Sequence, residues 1–87
     1  MKFTTARLCG GKALMAISSD EMDIDMGKAK DKLAAEGCEI IQYDDMMMVF
    51  RWNEMETTLY CQGKIMFFPL EDKHLCIKYA TEILESL

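Results

Sequence analysis

The chain has 87 residues, room for one domain and one hydrophobic core, and at this size only roughly 60–65 % of the unfolded surface is buried on folding. About half of it is apolar (51%) and only one residue is Pro, which excludes a disordered chain. With 10 basic and 15 acidic side chains the formal net charge is −5, which argues against a generic nucleic-acid binder.

No segment at the N-terminus combines a basic start, an apolar run and a cleavage site, and the longest apolar run, Met46–Phe50, is far too short to span a bilayer. The expectation is a soluble, cytoplasmic protein without membrane contact. Cys9, Cys38, Cys61 and Cys76 are dispersed, with no C-x-x-C pair, and are expected to be reduced thiols rather than a disulfide framework or a metal site.

In chain order, Phe3–Cys9 and Lys12–Ile17 flank Gly10-Gly11, and glycine tolerates the positive φ of a tight hairpin turn. A turn there pairs Leu8 with Ala13, Ala6 with Met15 and Thr4 with Ile17, giving one mostly apolar face, with Thr5, Arg7, Cys9 and Lys12 on the other. A single strand followed by a loop is the alternative. Ser18 followed by Glu21 fits a capping box, and Met22, Met26, Ala29 and Leu33 recur at helical spacing up to Gly37, a suitable C-terminal cap. Gly27 weakens the middle of that helix, and a start nearer Asp25 is the alternative. Glu39–Tyr43, Met46–Trp52, Met55–Cys61 and Lys64–Phe68 read as strands, joined by turns at Asp44-Asp45, Asn53-Glu54 and Gln62-Gly63. Pro69 closes the sheet because it has no amide proton to donate. In the final segment Leu75, Cys76, Tyr79, Ala80, Ile83, Leu84 and Leu87 form one apolar stripe, opposite Lys73, Lys78, Glu82 and Glu85.

Turn length fixes register, and two-residue turns place Trp52 opposite Met55, Phe50 opposite Thr57, and Met48 opposite Leu59. Continued through Gln62-Gly63, the same count sets Leu59 against Met66 and Thr57 against Phe68, the face the helices are expected to cover. The other face then carries Arg51 with Glu56, Val49 with Thr58 and Phe67, and Met47 with Tyr60 and Ile65. A sheet face turned to water should alternate to polar residues, and a contiguous apolar patch marks an interaction surface. Met47, Val49, Thr58, Tyr60, Ile65 and Phe67 are therefore the candidate partner-binding residues. Arg7, Lys12 and Arg51, expected on the same open face, are candidate phosphate contacts.

The run MMMVFRWNEMETTLYCQGKIMFFPLEDKHLCIKYATEILESL resembles the second part of one repeat of the TATA-box-binding protein family. The matching points are Thr57-Thr58 before Leu59-Tyr60, Gly63-Lys64, and Ala80 with Ile83 in the closing helix. The resemblance covers about half the chain and implies a TBP-like sheet backed by helices. In that family the exposed sheet face binds the minor groove, and Val49, Thr58 and Tyr60 fall at positions on that face. This sequence departs from the family in a shorter turn at Asn53-Glu54, a single repeat and an acidic charge. A single repeat implies a second copy, joined through sheet edges, to complete a saddle.

Chemistry is sparse. His74, the only histidine, has no acidic or nucleophilic partner by spacing. Asp20, Asp23 and Asp25 lack the spacing of a calcium loop, and Gly10-Gly11-Lys12 lacks the rest of a phosphate loop. The sequence thus predicts an α+β domain over residues 1–87, one antiparallel sheet of about five to six strands with two helices on one face. It predicts a non-enzymatic module without cofactor or metal, binding a protein or a second copy of itself. A nucleic-acid binder is the alternative, and a small-molecule-binding accessory a third class.

Overall fold

The computed structural model describes residues 2–87, apart from the side chain of Cys9. Six strands form one open antiparallel sheet: β1 (Phe3–Leu8), β2 (Ala13–Ser18), β3 (Glu39–Tyr43), β4 (Met47–Trp52), β5 (Met55–Tyr60) and β6 (Lys64–Phe68). The two helices are α1 (Met26–Ala35) and α2 (Lys73–Ser86). The spatial order β1-β2-β6-β5-β4-β3 describes a simple path. A first hairpin is laid down, α1 carries the chain to the far edge, and a meander returns until β6 pairs with β2.

The first hairpin has the register the sequence predicts, with Leu8 opposite Ala13, Ala6 opposite Met15 and Thr4 opposite Ile17. The β4–β5 register is also as expected, from Met47 opposite Tyr60 to Trp52 opposite Met55. Its two turn residues, Asn53 and Glu54, have φ of 49 and 63, the left-handed pair a type I′ turn demands. The edge strand β3 carries a bulge: Ile40 faces Phe50, Gln42 faces Val49, and Ile41 between them has no opposite number.

The β5–β6 hairpin departs from expectation. Tyr60 pairs with Lys64, so the loop is Cys61-Gln62-Gly63, three residues instead of two. Gly63 has φ of 97 and its N–H donates to the Tyr60 carbonyl at 3.0 Å. A two-residue Gln-Gly turn would need Gln at positive φ, whereas the three-residue loop needs it only at its last position, which glycine fills. The extra residue turns every β6 side chain to the opposite face. Ile65 and Phe67, predicted on the open face, face the helices beside Leu59 and Thr57 and have 0% exposure. Met66 and Phe68 take the open side.

The first hairpin is also turned over relative to expectation, through its pairing with β6. Leu14 aligns with Phe67 and Ala16 with Ile65, so these two enter the core, and Met15 and Ile17 face away from it. Arg7, which stands opposite Leu14, therefore lies on the helix side. Its Nη1 donates to the Glu71 carbonyl at 3.4 Å, just before α2, so it is not on the open face.

Both helices pack on one face. Met26, Ala29 and Leu33 of α1 and Cys76, Ala80, Ile83 and Leu84 of α2 share a core with Leu14, Phe50, Leu59 and Phe67. Burying a large apolar side chain of this kind contributes about 1.5–3 kcal/mol. Tyr79 of α2 holds the helix to the sheet through edge contacts with Trp52 (4.9 Å between ring centroids) and Phe67 (6.0 Å).

α1 begins at Met26, with the Asp25 side chain accepting from Lys28 N–H at 3.1 Å. The Ser18–Glu21 box is not used, because Ser18 is the last residue of β2, opposite Phe3. Residues 19–25 instead run across the β5–β6 loop, where Ile24 N–H donates to the Cys61 carbonyl at 3.0 Å. Gly37 (φ 92) ends α1 as expected: Gly37 N–H donates to Ala34 and Cys38 N–H to Leu33, a Schellman cap. α2 is capped by Asp72, whose carboxylate accepts from His74 and Leu75 N–H.

Candidate interaction face

Strand alternation and the pairing register together build the face away from the helices. Its central row runs unbroken across all six strands: Ala6, Met15, Met66, Thr58, Val49 and Gln42. No residue in that row is charged. One flanking row is Thr4, Ile17, Lys64, Tyr60 and Met47. The other contains Phe68, Glu56, Arg51 and Glu39, with the Leu8–Ala13 pair at its β1–β2 end. Among the described residues no helix covers this face. It is an apolar centre with charges confined to its two outer rows.

The structure keeps Met47, Val49, Thr58 and Tyr60 of the predicted patch together. Met47, Val49 and Tyr60 are half-buried, and Thr58, between Val49 and Met66, is 4% exposed. Ile65 and Phe67 are excluded from it. Their places are taken by Met66 and Phe68 of β6, the latter 37% exposed, and by half-buried Met15 and Ile17 of β2. Only one signal in the sequence could have found Met66 and Phe68. It is the position of Gly63 directly before Lys64, which suits a three-residue loop better than a Gln-Gly pair.

The cations are fewer and less free than predicted. Arg51 lies in register between Glu39 and Glu56, a cation between two carboxylates. Lys12 sits in the β1–β2 connection, its carbonyl accepting from Leu70 N–H at 2.9 Å, and Arg7 is on the other side of the sheet. Lys64, exposed between Ile17 and Tyr60, joins Arg51 as an exposed cation on the face.

Burial pushes the Cys76 thiol up to about 11. Burial, and then the neighbouring Glu36 carboxylate, raise that of Cys38. His74 is exposed at the start of α2. Among the described residues no three His, Cys, Asp or Glu side chains converge as metal ligands would, and no helix is long and apolar enough to cross a membrane. A cleft of about 270 Å³ lined by Met22, Ile24, Asp25, Lys28 and Leu84 lies between the start of α1 and the end of α2, on the helix side. No family model, curated protein or solved structure matches this chain.

Proposed function

We propose that this chain is a non-enzymatic protein-interaction module that binds through the open face of its sheet. The observation that carries the reading is the central row from Ala6 to Gln42, uncharged across six strands and uncovered by either helix. Water-facing antiparallel sheets alternate to polar residues, and one that instead presents Met15, Val49 and Met66 gains by covering them. Methionine suits such a face, since its unbranched thioether adapts to a partner's shape. The resemblance of Thr57–Tyr60 and Gly63-Lys64 to a TATA-box-binding-protein repeat supports use of the sheet face, without deciding the partner's chemistry. Phosphate binding draws little support from Arg51, placed between two carboxylates, or from Arg7 on the far side.

Amide chemical-shift mapping tests this reading. Addition of a protein partner, or of more of the chain itself, is expected to shift Met15, Val49, Thr58 and Met66. Met66→Glu is expected to abolish the shifts while leaving the far-ultraviolet spectrum unchanged. Shifts confined to α1 and α2 would overturn the assignment, and salt-sensitive retardation of DNA or RNA would favour nucleic acid.

A further inference from the structure

We infer that the partner of the open face is a second copy of this chain, packed sheet against sheet, with Lys64 of each copy set against Glu56 of the other. The inference rests on the sheet-face reading and names its occupant.

Three observations carry it. The first is size. The molecule measures 30 × 27 Å along its two longer axes and 19 Å through its thickness. The sheet face lies within this 30 × 27 Å outline, an area no larger than the roughly 800 Å² per partner of a standard stable interface, so a single partner of the chain's own size is enough to cover it. The second is charge balance. The chain as a whole is −5, yet the open face sets Lys64 and Arg51 against Glu56 and Glu39. Two copies can therefore meet here without the repulsion their net charge would otherwise impose.

The third is the placement of those charges. Lys64 lies at one end of β6 and Glu56 at the opposite end of β5, with the Met66–Thr58 pair midway between them. A two-fold axis lying between two stacked sheets, over that pair and perpendicular to the line from Lys64 to Glu56, exchanges these two positions. Each Lys64 then faces the other copy's Glu56, and the contact forms twice because the interface is isologous. With ordinary strand spacing and rise, this axis makes the strands of the two sheets cross at about 40°. Aligned sheet sandwiches cross at about 30°, so the charge pairing and the packing angle are compatible. The result is four layers, helices outside and two sheets inside, with Met15, Met66 and Val49 in a dry centre and the ion pairs toward its ends.

Sedimentation equilibrium over a concentration series, at low and at high salt, tests the pairing on the full chain. Lys64→Glu and Glu56→Lys are both exposed substitutions, and circular dichroism checks that each variant stays folded. The wild-type chain is expected to dimerise, each single charge reversal to weaken the dimer about tenfold, and the double reversal to restore it to within about threefold of wild type. A wild-type chain that stays monomeric throughout overturns the inference. So does a dimer that neither single reversal weakens, or one that the double reversal fails to restore. The broader reading fails separately: it falls if Met66→Glu leaves every interaction of the chain unchanged.

Discussion

The two hairpins that share β5 join their strands in different ways. Between β4 and β5 two residues suffice, and both Asn53 and Glu54 are held at positive φ. Between β5 and β6 three residues are used, with positive φ assigned to Gly63. The first turn places strain on two residues with side chains, and the second avoids it by using one more residue. That residue decides which side chains of β6 are core and which are surface. The comparison teaches that the chemistry of a face can be set by the length of a loop at its end.

The sharpest way to break the comparison is to truncate neighbours on β6. Phe67→Ala is expected to cost about 3–5 kcal/mol, because Phe67 is fully buried against Trp52 and Tyr79. Phe68→Ala is expected to cost under about 1 kcal/mol, since it removes a partly exposed ring on the other side. Urea unfolding reads both, and the reverse order would mean that the register is one residue out. Next in size is Gly63→Ala, expected to destabilise by about 2 kcal/mol. It forces a Cβ onto φ of 97 and brings it to 2.8 Å from Met22 Sδ, which must move aside. Smaller than that, and of opposite sign, is Glu54→Gly. Relief of the left-handed conformation is expected to stabilise by about 1 kcal/mol, a rise of several degrees in Tm by calorimetry.

Cys76 offers an independent check on the covered side. Its folded pKa of about 11 exceeds the ordinary 9.0, so the buried thiol holds its proton after the unfolded one has lost it. Stability from this group is present below pH 9 and declines as pH rises from 9 toward 11. Cys76→Ser is expected to flatten that part of the stability profile.

Much of the fold was legible in the sequence because single residues specified it. Gly37 ends α1 by occupying a conformation other residues resist, and the apolar stripe of α2 predicts its buried side. Both hairpin registers that proved right depend on pairs joined by short connections at Gly10-Gly11 and Asn53-Glu54. Where two local solutions competed, the sequence did not decide. Ser18 and Asp25 are both good caps, and Ser18 is claimed by pairing with Phe3, a contact no local pattern encodes. Gln62-Gly63 fits a two-residue turn by composition, but the backbone preferred a loop that spares Gln62 a positive φ. The candidate face inherited that ambiguity. Its β4 and β5 members were legible, its β6 members turned on the length of the β5–β6 loop, and the side taken by the first hairpin is set by long-range pairing of β2 with β6, which no local pattern encodes.

The bulge at Ile41 has a consequence for the free edge of the sheet. Open-ended filaments grow by adding one sheet's edge to the opposite edge of the next, which requires both edges to be regular. β1 is regular, but the irregular β3 offers no continuous ladder to receive it. The β3 edge is thereby a poorer template than β1 for adding another strand, which works against head-to-tail growth of one sheet onto the next.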